Sequence, residues 1–193
     1  FDEYKFNTLF SKALKEFDFI LFYKSIILPL LKRVGILWLT NKISPSQEHF
    51  LSELIKQKLY SLIDRTSVSK SSKEKWLLFL PENEFHEIGL LFAKHILSLK
   101  EYNVIYLGDN LPIETLTGVA EKHKIDNVLL FLLANSSIEM SEIHLQKCLN
   151  IFPNSQIHVV TSNSKLNLAK LNTSKINLIH DLDGFIELLD NSN

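Results

Sequence analysis

The stretch NVLLFLLA, residues 127–134, decides the fold of this chain of 193 residues. Seven of its eight side chains are apolar and none is charged, which is typical of a parallel strand buried on both faces. Shorter runs rich in apolar residues occur at WLLFL (76–80), NVIYL (103–107), QIHVV (156–160) and KINLI (175–179). The sequence therefore predicts five strands in its second part.

Helical patterns separate these strands. Apolar residues recur at helical spacing over 87–100, from Pro112 to about Lys124, over 138–150 and over 181–190. Alternation of strands with helices predicts an α/β fold, in which helices cover both faces of a doubly wound, five-stranded parallel sheet. Sheets of this kind are flavodoxin-like or Rossmann-like.

The first part of the chain has a helical period throughout. It holds a single glycine, Gly35, and we expect breaks at Pro29 and near residues 41–42. Ser44 and Gln47 frame a good helix start, since Ser44 can cap the helix and Gln47 can complete a capping box. The sequence predicts an N-terminal bundle of about four helices.

A polar, serine-rich stretch, RTSVSKSSKEK at 65–75, divides the two parts. We predict a helical bundle domain over 1–68 and a Rossmann-like domain over 74–193. Residues 1–68 include ten basic and seven acidic residues, and residues 69–193 include eleven basic and fifteen acidic residues. The net charge of −1 argues against a free-standing nucleic-acid binder, which needs clustered positive charge.

The cellular setting follows from what the sequence lacks. Cys148 is the single cysteine, so a disulfide framework is excluded, and we expect an inert, buried thiol in a reducing compartment. There is no stretch of 18 uncharged apolar residues and no recognisable signal peptide, so we expect a cytoplasmic chain without a membrane span. Position 1 is Phe rather than Met, and we expect a fragment whose natural N-terminus has been removed.

Ligands of doubly wound sheets bind beyond the carboxyl ends of the strands, which directs attention to a few loops. The loop after the first strand, PENEFHEIG at 81–89, is the most informative. His86 precedes a helix, and Glu84 can accept its ring N–H, a pairing that orients an imidazole as a metal ligand. Gly89 lets a bulky group approach the backbone. The alternative is an exposed loop histidine beside acidic neighbours. The other loops hold residues 108–110, Asn135, Ser136 and residues 161–163.

Glu84-x-His86-x-x-Gly89 resembles the Asp-x-His-x-x-Gly motif of cobalamin-binding domains. The resemblance implies that His86 is the lower axial ligand of cobalt and displaces the cofactor's own dimethylbenzimidazole. It also implies that Glu84 is the hydrogen-bond partner of His86, and that Gly89 contributes to the cofactor site. Glu84 is one methylene longer than the usual Asp and carries the same charge.

A second resemblance concerns the helical part. PLLKRVGILW (29–38), Ile43-Ser44 and Gln47-Glu48-His49 are similar to the helical cap of MerR-type transcriptional regulators that sense cobalamin. It implies that Trp38, Glu48 and His49 cover the upper face of the corrin and contact an adenosyl group, so adenosylcobalamin is the form expected. Together the two resemblances cover about residues 18–190. From the residues alone, Trp38 fits a core aromatic equally well, and Glu48-His49 fits a solvated helix face.

The chain departs from these families at three places. A serine that contacts the buried nucleotide tail is replaced by Phe131, while Leu133 matches the family's leucine. The Gly-Gly pair that leaves space for the tail is replaced by Thr161-Ser162. A phenyl ring in such a slot overpacks it, at about 1–3 kcal/mol, or excludes the guest. Light-sensing members carry a histidine directly after the tryptophan, and Leu39 has no metal-binding atom there, so we do not expect ligation of cobalt by two histidines.

We therefore predict the effector-sensing C-terminal region of a MerR-family regulator, which is not an enzyme. It would bind cobalamin between the helical cap and the Rossmann-like domain, with His86 as the metal ligand. We expect a homo-oligomer that reaches DNA only through an N-terminal domain absent from this chain.

Two alternatives stay open. The first is a cofactor-free oligomerisation module, or a module for another ligand, in which the fold persists without cobalamin. The second is the corrinoid carrier protein of a methyltransferase, which would share the His86 motif and the bundle. Other classes fit less well, because a phosphoryl-accepting receiver needs an aspartate where Asn135 stands, and a nucleotide binder needs a glycine-rich first loop.

Overall fold

The chain forms two compact units, Phe1–Lys58 and Leu59–Asn193. A computed structural model describes residues 1–66, 73–133, 137–162, 166 and 173–191. Most of the predicted linker at 65–75 lies outside these residues. The domain bounds 1–68 and 74–193 stay a prediction.

The first unit is helical, as predicted. Its elements are α1 (Glu3–Glu16), α2 (Phe19–Phe22), a π-helical turn (Tyr23–Ile27), α3 (Leu28–Leu39) and α4 (Pro45–Asp64), whose last residues lie in the second unit. The predicted capping box begins α4, because the Ser44 amide donates to Gln47 Oε1 at 2.9 Å and the Gln47 amide donates to Ser44 Oγ at 3.3 Å. The break near residues 41–42 is also confirmed, since α3 ends at Leu39 and Asn41 has a φ of 54°.

The break expected at Pro29 is wrong. The helical backbone continues from α2 to α3, and Pro29 is the second residue of α3. Proline ordinarily breaks a helix because its ring clashes with the carbonyl four residues earlier and its nitrogen cannot donate. Here the wider π turn Tyr23–Ile27 comes directly before α3, where it accommodates the ring without ending the helix.

The second unit is built on five parallel strands, as predicted. They are β1 (Lys75–Phe79), β2 (Asn103–Tyr106), β3 (Asn127–Phe131), β4 (Gln156–Val160) and β5 (Ile176–Ile179), in the order β2-β1-β3-β4-β5. All five residues of β3 are buried, as its apolar run required. The strand order reverses between β1 and β3, so the loops after these two strands flank the crevice where such sheets bind ligands.

Helices follow the strands and complete the doubly wound α/β fold. They are α5 (Glu87–Leu99), α6 (Thr117–Lys122), α7 (Ile138–Ile151) and α8 (Leu182–Asp190). The helix expected from Pro112 to Lys124 was partly wrong, because Ile113–Leu116 form a 3₁₀ turn before α6. None of the helices in the described ranges has the length and apolar character needed to span a membrane.

Cys148 lies in the core of the sheet unit, as expected. It packs on α7 among residues that include Val128, Leu130 and Ile157. Burial raises the pKa of its thiol to about 12, so the reactive thiolate is disfavoured at neutral pH.

A buried histidine makes the stability of this unit depend on pH. His158 on β4 stacks on Trp76, and its Nε2 lies 2.9 Å from Asn127 Oδ1. Burial lowers the pKa of His158 to about 4. The unfolded chain binds a proton at this position below about pH 6.5, while the folded chain does not until about pH 4, so stability falls between these values as the pH is lowered.

We expect His158→Gln to flatten this dependence. Between pH 7 and pH 4.5 the wild type should lose about 2 kcal/mol of unfolding free energy through His158, which urea titration at both pH values would measure. His123→Gln, at an exposed position, should leave the loss unchanged. An equal loss in the His158→Gln chain would contradict the assignment.

Candidate functional site

The loop after β1 is fastened to the loop after β2. The Leu80 amide donates to the Gly108 carbonyl at 2.9 Å, and the Asn83 amide donates to Asn110 Oδ1 at 3.1 Å. Asn83 has a φ of 64°, a left-handed conformation that asparagine tolerates better than most residues. These bonds fix the path of the chain just before Glu84 and His86.

Glu84 is a buried carboxylate, only 2 % exposed. Its Oε1 contacts His86 Nδ1 and accepts from the amides of Phe85 at 3.1 Å and His86 at 3.2 Å. Its Oε2 accepts from the Leu133 amide at 2.7 Å, just beyond the end of β3. Buried charge is costly unless such donors compensate it, so Glu84 holds the loop against the end of β3.

His86 lies directly before α5, and its side chain is 58 % exposed. The hydrogen bond from Nδ1 to Glu84 raises the pKa of His86, against a smaller lowering by burial. With the proton of the neutral ring on Nδ1, Nε2 is the nitrogen that can bind a metal. The predicted pairing of Glu84 with His86 is therefore present, while its role as a cobalt ligand stays a prediction. No group of three His, Cys, Asp or Glu residues that could hold a metal ion occurs in the described residues.

Gly89, the third site residue of this motif, faces a side chain of the chain itself. A Cβ placed on Gly89 would lie 2.6 Å from Cε2 of Phe131, which is closer than real Cβ contacts allow. Phe131 is 6 % exposed and Thr161 is 1 % exposed, and the Thr161 hydroxyl donates to the Leu132 carbonyl at 3.1 Å. The arrangement at His86 thus fits a metal-ligating imidazole, and Phe131 and Thr161, where the resemblance places the tail slot, are buried.

A carboxylate that the sequence analysis missed lies next to His86. Glu87 Oε1 accepts hydrogen bonds from the hydroxyls of Tyr60, at 2.7 Å, and Tyr106, at 2.9 Å. Burial, reinforced by Glu87, raises the pKa of Tyr106. The same rule that selected the 81–89 loop could have found Tyr106, because it is the last residue of β2, at the carboxyl edge of the sheet.

The predicted upper-face residues all lie in the helical unit. Trp38 is in the last turn of α3 and is 48 % exposed. Glu48 is in the first turn of α4, where its Oε1 accepts from Ser52 Oγ at 2.5 Å, and the next residue, His49, is exposed. Their roles toward a cofactor stay predictions. Among the other loop residues named above, Asn135, Ser136 and Asn163 lie outside the described residues.

We expect Glu84→Ala to lower the unfolding free energy by about 1–3 kcal/mol, the cost of leaving a donor such as the partly buried Leu133 amide without its acceptor. Chemical denaturation would measure the change. Glu82→Ala, an exposed carboxylate in the same loop, should stay within about 0.5 kcal/mol of the wild type. Equal stability of the two variants would refute the role given to Glu84.

Comparisons with known proteins address both units. Residues 1–63 match the family model described as B12 binding domain. The chain is 31 % identical over 140 residues to the HTH-type transcriptional repressor CarH of Myxococcus xanthus. These aligned residues make up 72 % of this chain and 44 % of the repressor. It is 30 % identical over 118 residues to the HTH-type transcriptional repressor CarA of the same organism, or 61 % of this chain and 39 % of the repressor. The chain thus aligns with less than half of either repressor.

A solved structure shares the fold. The monomethylamine corrinoid protein of Methanosarcina barkeri superposes with a TM-score of 0.60 at 17 % identity, covering 83 % of this chain and 78 % of that one. These findings confirm the resemblance predicted from the motifs: the chain is similar to cobalamin-binding proteins and to HTH-type repressors, with a B12-binding type of helical part followed by a Rossmann-like α/β unit.

Proposed function

We propose that this chain is the effector-sensing region of a MerR-type transcriptional regulator, and that it binds a corrinoid of the cobalamin class through His86. One observation carries the proposal. His86, held by the buried Glu84, presents an imidazole at the switch point of the sheet, where this fold binds ligands.

The two aligned repressors support the regulatory part of the proposal, because their sequence identity to this chain (31 % and 30 %) is higher than that of the corrinoid protein (17 %). The chain spans less than half of their length, so DNA binding is assigned to a segment outside it. The chain itself performs no chemistry and acts in the cytoplasm. Binding of the ligand shifts the self-association of the regulator, because a ligand favours the state that binds it more tightly.

A bound corrinoid would supply a cobalt centre that accepts a nitrogen ligand, and His86 would hold it. Glu84 keeps the proton of the neutral imidazole on Nδ1, so the lone pair of Nε2 is the one directed to a ligand. The Leu133 amide donates to Glu84 in turn, which ties the loop to the end of β3. Trp38, Glu48 and His49 keep the roles that the resemblance implies, as predictions.

A corrinoid carrier protein of a methyltransferase would use His86 and Glu84 in the same way. A cofactor-free module would retain the fold alone. The first differs from the regulator in needing a partner enzyme that exchanges a methyl group with the bound corrinoid, and the second differs in binding no corrinoid at all.

Retention of a corrinoid tests the proposal. The protein is mixed in the dark with adenosylcobalamin, hydroxocobalamin or aquocobinamide and desalted, and the visible spectrum of the protein fraction is recorded. We expect at least one corrinoid to be retained with a spectrum that differs from that of the free compound. His86→Ala should weaken its binding by at least tenfold and abolish this spectral change, since it removes the proposed metal ligand.

The matched control is His123→Ala, an exposed histidine in the loop before β3, which should bind as the wild type does. A colourless protein fraction with all three corrinoids would rule out corrinoid sensing and leave the cofactor-free module. An unchanged bound spectrum in the His86→Ala chain would remove His86 from the site.

A further inference from the structure

The space between the first turn of α5 and the carboxyl ends of β3 and β4 holds the Phe131 ring, which packs on Gly89, and the buried Thr161 side chain. We propose that this chain selects a corrinoid without a nucleotide tail, of the cobinamide type, and that Phe131 is the residue that sets this specificity. The inference rests on the proposed function, because it concerns which corrinoid binds at His86.

The contact between Gly89 and Phe131 closes the side of this space that α5 lines. Gly89 follows His86 by three residues, so it lies on nearly the same side of the helix, one turn further in. The phenyl ring is packed so closely on Gly89 that even a methyl group would meet its Cε2 at 2.6 Å and its Cζ at 3.3 Å. A nucleotide base is far larger than a methyl group, so it has no room between Gly89 and Phe131.

The strand side is closed as well. Phe131 is paired in register with Val160, and the next residue of that chain segment, Thr161, is buried. The Thr161 hydroxyl donates to the Leu132 carbonyl, and its amide donates to the Ile179 carbonyl at 3.0 Å, which fixes it between the ends of β3 and β5. Thr161 is thus held in place, and the Phe131 ring is the side chain whose removal would open the space beside Gly89.

The chemistry of cobalamin makes this closure selective. The base at the end of its nucleotide tail competes with His86 for the lower position of cobalt, and the tether gives that base a high effective concentration. A protein that buries the displaced tail offsets part of the free-energy cost of displacing the base. Where the slot is filled, nothing offsets that cost. A tail-less corrinoid carries only an exchangeable water there, so Nε2 of His86 replaces water rather than a tethered base.

Equilibrium titration of the intact chain with aquocobinamide and with hydroxocobalamin, followed by visible absorbance, tests the inference. The wild type should bind aquocobinamide roughly tenfold or more tightly than hydroxocobalamin, the factor expected when a guest overpacks a filled slot. Phe131→Ser should tighten hydroxocobalamin binding by a similar factor while the affinity for aquocobinamide stays within about threefold.

The control is Phe152→Ser, which removes an equally buried ring from the core around Leu130 and Cys148 and should leave the preference unchanged. Phe131→Leu, a smaller loss of volume, should shift the preference in the same direction if Phe131→Ser does not fold.

The outcomes separate this inference from the proposed function. If the wild type binds hydroxocobalamin as tightly as aquocobinamide, or if a folded Phe131→Ser chain keeps the wild-type preference, the tail specificity is wrong while corrinoid binding stands. If the wild type binds neither compound, the proposed function is wrong and the inference falls with it.

Discussion

The hydrogen bonds of the Glu84 carboxylate are the interaction on which the candidate site depends. An ionised carboxylate that is only 2 % exposed would be strongly unfavourable without compensation, so its donors are a structural requirement. One of them, the Leu133 amide, is 49 residues away along the chain and lies beyond the central strand β3. The orientation of His86 is therefore tied to the most buried strand of the sheet rather than to a loose surface loop.

How far the sequence predicted this depends on the distance between the interacting residues. The pairing of Glu84 with His86 was predictable, since two residues in one loop cannot lie far apart. The five strands were also predictable, because apolar runs such as β3 follow from local composition. The bond from Leu133 and the contacts of Glu87 with Tyr60 and Tyr106 were not, because they join segments that become neighbours only in the folded sheet unit.

The errors have a similar origin. Proline is a reliable helix breaker only where the helix keeps regular α geometry, and the π turn before Pro29 removes that condition. No pattern in the sequence of residues 19–39 predicts the π turn at Tyr23–Ile27. The 3₁₀ start of the helical segment after β2 is likewise a matter of hydrogen-bond register, which hydrophobic periodicity does not resolve.

Gly89 shows that a residue can match a ligand-binding motif and yet be required for packing within the protein. Its missing side chain indicated that something bulky approaches the backbone, and the bulky group in this structure is the phenyl ring of Phe131. Any residue with a Cβ at position 89 would displace that ring, so the packing of β3 against α5 requires glycine here, with or without a ligand. The motif Glu84-x-His86-x-x-Gly89 therefore contains two independent constraints. Glu84 and His86 define an oriented imidazole, while Gly89 is explained by its close contact with Phe131.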